Sequence, residues 1–289
     1  MADLSKLAVL IDADNTQPAI AGPLLAEIAK YGVANVKRIY GDWTTDNLNG
    51  WKKVLVQHAI QPIQQFGYTT GKNATDSAMI IDAMDLLYTG RFDGFCLVSS
   101  DSDFTRLASR LREAGLTVYG FGERKTPTSL RAACDLFVYL DVLRGAGKAA
   151  KPIEPPPAPA AKVSTKAAAK GKKAAAPAAA AKPAAKEEAP RAVEVAAKAE
   201  THPDPKADAE LKDLFVAAVE DAAGQDGWAN PDRVRSLMIN RRSDFDHRSY
   251  GFRKFIDLAL ALDLFDTDER PSPDGKQRIQ FLRDRRGKP

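Results

Sequence analysis

The sequence predicts an α/β protein with a mostly parallel, Rossmann-like sheet, followed by a second and smaller domain. Short apolar runs alternate with amphipathic helical patterns over the first half of the chain. Two of those runs end abruptly in acidic residues, and an Ala-, Lys- and Pro-rich stretch then precedes another globular pattern. Such alternation is typical of a parallel sheet with helices on both faces. The 289 residues leave room for two domains.

Six strands and five helices account for the first half. The predicted strands are Leu7–Ile11, Val36–Tyr40, Pro62–Phe66, Phe95–Ser99, Leu116–Phe121 and Leu136–Leu140. The predicted helices are Pro23–Tyr31, Leu48–Ala59, Thr75–Tyr88, Phe104–Arg112 and Thr128–Ala133. Their apolar residues recur at strand or helix spacing, and Gly32 and Gly115 are suited to end helices.

The chain divides at two composition changes, into residues 1–144, 145–209 and 210–286. The middle segment has 12 basic and 7 acidic residues and 10 of the 18 prolines, but no aromatic residue. Such a composition cannot bury enough apolar area to offset the entropy of ordering, so a disordered linker is expected. Each flanking segment has nearly balanced charge, with 15 basic and 16 acidic residues before the linker.

The last segment has the outline of a winged helix. A helical pattern includes Leu211–Ala218, and Asn230 is predicted to cap a second helix with Pro231 in its first turn. A third helix is predicted over Tyr250–Leu262, before two short strands at Leu264–Asp266 and Arg278–Leu282. Three helices followed by a β-hairpin predict a small winged-helix domain.

Composition excludes several other classes. Cys96 and Cys134 are the two cysteines, which gives neither zinc-ligand spacing nor a disulfide framework. The N-terminus lacks the pattern of a signal peptide, and no apolar run approaches the roughly 20 residues of a membrane helix. A cytoplasmic protein with no membrane association is therefore expected.

Carboxylates cluster at two predicted strand ends. Asp12 ends the first strand, and Asp101 and Asp103 follow the fourth. Ligands of open α/β sheets bind outside the carboxyl ends of the strands, so these acids are expected to share one cleft. Asp76, in the first turn of a helix, is a fourth candidate, with Asn15 as a group that orients substrate.

A divalent metal would relieve the repulsion among these acids. Mg²⁺ and Mn²⁺ prefer carboxylate and water oxygens, and a site without histidine or cysteine disfavours zinc. We therefore expect Asp12, Asp76, Asp101 and Asp103 to be both catalytic and metal-binding, with Mg²⁺ or Mn²⁺ as cofactor. The structural alternative is that these acids only cap helices or favour helix N-termini. Asp14 is expected to be a turn residue and Asp82 a surface charge.

Three motifs resemble the NYN domain, a member of the PIN-like ribonuclease superfamily in its LabA-like branch. They are Val9-Leu10-Ile11-Asp12-Ala13-Asp14-Asn15, Lys72-Asn73-Ala74-Thr75-Asp76 and Ser99-Ser100-Asp101-Ser102-Asp103-Phe104, and the resemblance covers roughly residues 5–142. It implies a Rossmann-like sheet and metal-dependent hydrolysis of RNA at the same four aspartates. Asn73 departs from the pattern, since many relatives have glycine there.

The last segment resembles the OST-HTH (LOTUS) domain, a winged helix implicated in RNA binding. The resemblance depends on Gly227-Trp228, Phe245-Asp246 and Tyr250-Gly251-Phe252, and it covers about residues 210–284. Arg241, Arg242 and Arg248 are then expected to bind RNA phosphates. Whether this domain binds RNA or a protein partner stays open.

The sequence therefore predicts a metal-dependent ribonuclease with a tethered RNA-binding winged helix. One alternative is a haloacid-dehalogenase-like phosphatase, because Asp12-Ala13-Asp14-Asn15-Thr16 fits its nucleophile motif with Asp12 as nucleophile. Another is an RNA-binding protein without turnover. The RNA substrate, endo- or exonucleolytic cleavage, the number of ions and the oligomeric state stay open.

Overall fold

The structure, a computed structural model, describes residues 4–66, 74–146, 202–271 and 278–286. Most of the predicted linker, 145–209, lies outside these residues, as do Lys72 and Asn73 of the second NYN-like motif. The described parts of Met1–Ala150 and His202–Pro289 belong to one compact unit. Within the described residues, no helix has the length and apolarity required to cross a membrane.

The first part of the unit is a six-stranded parallel sheet with helices between the strands. Its strands are β1 (Lys6–Asp12), β2 (Val33–Gly41), β3 (Gln61–Gln64), β4 (Gly94–Val98), β5 (Thr117–Gly122) and β6 (Leu136–Tyr139). Its helices are α1 (Ala21–Ile28), α2 (Trp51–His58), α3 (Ala74–Tyr88), α4 (Thr105–Glu113), α5 (Thr128–Ala133) and α6 (Leu140–Ala146). The α/β prediction is confirmed.

The order of the strands places the crevice of the sheet between β1 and β4. The order is β3-β2-β1-β4-β5-β6. Strands β2 and β3 follow β1 towards one edge of the sheet, and β5 and β6 follow β4 towards the other edge. Parallel pairing matches Leu7 with Gly94 and Ile11 with Val98. The carboxyl ends of β1 and β4 are therefore adjacent at the point where ligands bind in doubly wound sheets.

Helices cover both faces of this sheet, because β1 is apolar on both sides. Leu7, Val9 and Ile11 pack in one cluster with residues of α1 and α2. Ala8 and Leu10 point the other way, into a second cluster with residues of α3, α4 and α5. All five side chains are fully buried, as expected of a central parallel strand.

The second part of the unit has three α-helices and a β-hairpin. These elements are α7 (Ala209–Ala222), α8 (Pro231–Arg241), α9 (Phe255–Ala261), β7 (Phe265–Pro271) and β8 (Arg278–Asp284). The predicted cap of α8 is confirmed, since the Asn230 side chain accepts a hydrogen bond from the Asp232 amide at 2.9 Å. Strands β7 and β8 pair in antiparallel fashion. The predicted winged-helix outline is thus present.

The third predicted helix of this part is wrong at its N-terminus. Helix α9 begins at Phe255 instead of Tyr250. A short 3₁₀ turn over His247–Tyr250 ends at Gly251, whose φ of 84° lies in the left-handed region. Glycine adopts this conformation without a Cβ clash, so it interrupts the helical pattern that continues through its neighbours.

Ion pairs and hydrogen bonds join the two parts of the unit. The Arg248 guanidinium donates to both carboxylate oxygens of Glu27, at 2.8 and 2.9 Å, and also to Asp246. The Phe137 amide, on strand β6, donates to the Ser243 carbonyl at 2.8 Å. Charge-assisted, two-pronged contacts of this kind fix orientation as well as supplying energy.

Glu27 is only 4% exposed, so the charge of its carboxylate depends on its basic partners. Burial alone would raise its pKa. Hydrogen bonds and charges from Arg248 and Lys30 outweigh that effect and lower the pKa from 4.5 to about 2. A depressed pKa means that the ionised carboxylate stabilises the folded state above pH 4.5. This contribution is lost as the pH falls from 4.5 towards 2.

We predict that Glu27→Gln lowers the free energy of unfolding by about 3 kcal/mol at pH 7, because Arg248 loses the charge that compensates its burial. The difference from the wild type should shrink steadily between pH 4.5 and 3. Urea unfolding followed by tryptophan fluorescence measures both effects. Glu113→Gln removes an exposed pair with Arg106 and is the matched control, with a change within about 0.5 kcal/mol. Equal losses in the two variants would contradict the assignment.

Candidate metal centre

Asp101 and Asp103 lie in the turn that connects β4 to α4. Strand β4 ends at Val98, and Asp101 caps the 3₁₀ turn Ser102–Phe104 by accepting a hydrogen bond from the Asp103 amide at 3.0 Å. Asp101 therefore has the capping role that the structural alternative predicted. One oxygen accepting a local hydrogen bond still leaves a carboxylate with further acceptor sites.

A third carboxylate comes from another element. Asp76 lies in the first turn of α3. One carboxylate oxygen from each of Asp76, Asp101 and Asp103 can be chosen so that all three oxygens lie within 4.8 Å of one another. Three of the four predicted acids thus form one group, which we call the Asp trio.

Asp12 lies beside the Asp trio but is not a member of it. Asp12 is 1% exposed, and its carboxylate accepts four hydrogen bonds. The donors are the amides of Asp14 and Asn15, the Asn15 side chain at 2.7 Å and the Ser99 hydroxyl at 2.8 Å. The Ser99 hydroxyl also accepts from the Asp101 amide at 3.1 Å. The ends of β1 and β4 are therefore linked through one hydroxyl.

The crowding of negative charge is clearest at Asp76. Its pKa is raised from 3.8 to about 6, first by burial and then by the charges of Asp12, Asp101, Asp103 and Asp14. Like charges and desolvation both disfavour the ionised form. A carboxylate group that resists ionisation in this way is characteristic of functional clefts.

Asp14, expected to be a turn residue, also contributes to this crowding. Burial raises its pKa, as do the charges of Asp12 and Asp42, while a side-chain hydrogen bond with Thr75 opposes the shift. Asp42 follows Gly41, the last residue of β2. Ligand-binding residues often follow the carboxyl ends of parallel strands, and Asp42 has such a position. Asp42 could have been predicted from the sequence on that ground, but it was not.

The three arginines predicted to bind RNA are all in ion pairs. Arg241 pairs with Asp221, and Arg242 donates to Asp244 at 3.2 Å. Arg248 is bound between Glu27 and Asp246. The predicted phosphate-binding roles stay predictions, and for Arg248 a phosphate would have to compete with two carboxylates. Asn15, predicted to orient substrate, donates its side-chain amide to Asp12.

Family models match both parts of the chain. The model of the NYN domain matches residues 6–141, and the model of the OST-HTH/LOTUS domain matches residues 205–277. The chain therefore has an NYN domain followed by an OST-HTH/LOTUS domain. All four predicted acids, with Asp14, Asn15 and Ser99, lie in the NYN domain. Arg241, Arg242 and Arg248 lie in the OST-HTH domain.

Two solved structures share similarity with parts of the chain. A protein of unknown function from Vibrio parahaemolyticus is 18% identical, covers 48% of this chain and 94% of its own, and has a TM-score of 0.42. An uncharacterized protein from Nitrosomonas europaea is 29% identical over 35% of this chain and 90% of its own, with a TM-score of 0.25. No curated protein matches the chain.

We predict that Asp76→Asn stabilises the metal-free protein. Because the pKa of Asp76 is raised on folding, its ionisation opposes folding as the pH rises from about 4 to 6. The free energy of unfolding of Asp76→Asn should therefore exceed that of the wild type by about 1–2 kcal/mol above pH 6, with a smaller difference at pH 4. Urea unfolding in EDTA measures the difference. Asp85→Asn, on the exposed side of the same helix, is the control, and similar curves for both variants would argue against charge crowding.

Proposed function

We propose that the chain is a metal-dependent ribonuclease whose hydrolytic site is the Asp trio. The observation that carries the proposal is the convergence of Asp76, Asp101 and Asp103 at the switch point of an NYN-type sheet. The NYN domain supports nuclease activity, and the OST-HTH domain supports RNA as the substrate.

The donor set fits a divalent ion of the Mg²⁺ or Mn²⁺ type. Its donors are carboxylate oxygens, which hard cations prefer. Oxygens bound to one ion at about 2.1–2.5 Å lie up to about 5 Å apart, which agrees with the 4.8 Å span of the Asp trio. Asp76, Asp101 and Asp103 would hold the ion. When bound, such an ion supplies charge stabilisation and water activation for phosphodiester hydrolysis.

Asp12 and Ser99 hold this arrangement in place. The Asp12 carboxylate orients the Asn15 amide, and the Ser99 hydroxyl holds the Asp101 amide. We assign Asp12 a positioning role together with a contribution to the negative potential, while its expected role as a ligand stays a prediction. The Asn15 side chain keeps its carbonyl oxygen available for a substrate hydroxyl or a water, since its amide nitrogen donates to Asp12.

The phosphatase alternative has less support. A nucleophilic carboxylate needs an oxygen that can reach the substrate phosphorus. Asp12 is 1% exposed, and its two carboxylate oxygens accept four hydrogen bonds. A protein with the same two domains could also bind RNA without cleaving it. An assay that detects cleaved RNA distinguishes this alternative from hydrolysis.

The proposal predicts that Asp101→Asn abolishes cleavage. Asparagine can still cap the turn before α4, but it removes one negative charge from the Asp trio. The cleavage rate of single-stranded RNA with Mn²⁺ or Mg²⁺ should fall at least about 100-fold, because a metal ion contributes several kcal/mol to such reactions. Gel analysis of a labelled RNA gives the rate.

Asp85→Asn is the matched control and should cleave like the wild type. EDTA should stop cleavage by the wild type. Cleavage that persists in EDTA, or an Asp101→Asn variant as active as Asp85→Asn, would overturn the proposal. RNA binding without product formation under both metals would favour the non-catalytic alternative.

A further inference from the structure

An arginine-lined groove of about 450 Å³ runs between α5 of the NYN domain and α8 of the OST-HTH domain. Its lining includes four arginines and two aspartates. They are Arg112, Arg131 and Asp135 from the NYN domain, and Arg241, Arg242 and Asp244 from the OST-HTH domain. The lining therefore has two more arginines than aspartates, although each arginine is ion-paired, Arg112 with Asp135 and Arg241 with Asp221, which lies outside the lining.

The ion pairs across the groove do not use up its hydrogen-bond donors. Each guanidinium has five N–H groups. Arg131 donates through its terminal nitrogens to Asp244, Tyr139 and Thr128. Its Nε is buried and has no hydrogen-bond partner in the part of the chain that the structure describes. A buried donor without a partner costs free energy, and because this nitrogen is out of reach of solvent, a ligand would have to contact other N–H groups of the groove arginines.

One end of the groove lies at the first residue of α5, which is next to the start of α4. Thr128, the first residue of α5, lines the groove. The Ser129 hydroxyl is 3.5 Å from the Thr105 hydroxyl. Thr105 begins α4 directly after the turn that carries Asp103. From there the groove follows α5, a helix about 9 Å long, to Asp135.

We propose that this groove binds the phosphate backbone of a single RNA strand. The inference rests on the proposed function for its ligand, but it adds a binding site shared by the two domains. Guanidinium groups match phosphate oxygens with paired hydrogen bonds. The volume is in the range of small-ligand pockets, so one or two nucleotides fit and a duplex does not.

The groove also gives a reason for the contacts between the domains. The Asp244 carboxylate accepts hydrogen bonds from Arg131, Tyr139 and Arg242, so it joins the two walls. RNA lying between Arg112 and Arg241 would then contact both domains at once. Phosphate contacts of this kind position a strand without reading its sequence.

The test replaces one groove arginine from the NYN domain and one from the OST-HTH domain. Arg112→Gln combined with Arg241→Gln spares Arg131 and Arg242, which hold Asp244. It also removes the ion pairs of Arg112 with Asp135 and of Arg241 with Asp221, so urea unfolding of the variant is measured alongside. The control combines Arg110→Gln with Arg235→Gln, on the same two helices and outside the groove lining, with the same change in net charge. Fluorescence anisotropy of a labelled single-stranded oligoribonucleotide, with the full chain in EDTA, measures affinity over a range of salt concentrations.

The groove variant should bind the RNA about tenfold more weakly than the control. A plot of the logarithm of its binding constant against the logarithm of the salt concentration should be less steep by about 1.4, because two phosphate contacts are lost. The double Arg→Lys variant at the same positions should recover the slope, since it restores both charges. Recovery separates loss of contacts from misfolding.

Affinity and slope equal to those of the control would overturn the inference. So would a groove variant that keeps RNA binding but loses binding to polyglutamate, since the groove would then be a peptide site. The cleavage assay is independent of this result. A wild-type protein that binds RNA through the groove but cleaves none would refute the proposed ribonuclease and leave the groove assignment standing.

Discussion

The parallel pairing of β1 with β4 is the constraint on which the candidate site depends. The register that matches Ile11 with Val98 brings the next residues, Asp12 and Ser99, to one edge of the sheet. Their side chains are hydrogen-bonded at 2.8 Å, and the same hydroxyl holds the turn that carries Asp101. Any other position for β4 would separate acids that lie 89 residues apart in the sequence.

The same edge concentrates charge that the fold does not neutralise. Buried acids elsewhere in the described structure are compensated, as Glu27 is by Arg248, and the pKa of Glu27 is lowered. At the sheet edge, the pKa values of Asp76 and Asp14 are raised instead. The first environment stabilises the folded state, whereas the second opposes folding and favours a cation. This contrast distinguishes a structural ion pair from a candidate metal centre.

Much of this arrangement could be predicted from local sequence. Apolar runs located β1 and β4 most clearly, since a central parallel strand is apolar on both faces, whereas β3 is a short, largely exposed edge strand, Gln61-Pro62-Ile63-Gln64. The acids after β1 and β4 were predictable because doubly wound sheets place their ligand sites at these ends. Asn230 and Pro231 marked the start of α8, since their capping preferences depend only on the neighbouring backbone.

Contacts between distant segments were not predictable. Arg248 was expected to bind phosphate, but it pairs with Glu27, which is 221 residues away. Asp82, expected to be a surface charge, accepts hydrogen bonds from Arg38 and Tyr40 of β2. Neither pairing leaves a local pattern in the sequence, because each depends on how two elements pack. The groove between α5 and α8 is invisible to sequence reasoning for the same reason.

The central claim is that Asp76, Asp101 and Asp103 together bind a divalent cation. Crystals soaked in Mn²⁺, with anomalous diffraction collected near the manganese edge, test it most directly. The account predicts an anomalous peak within about 2.0–2.5 Å of an oxygen from each of the three carboxylates. A map with no peak between them, or with its strongest peak at another group of acids, would contradict it.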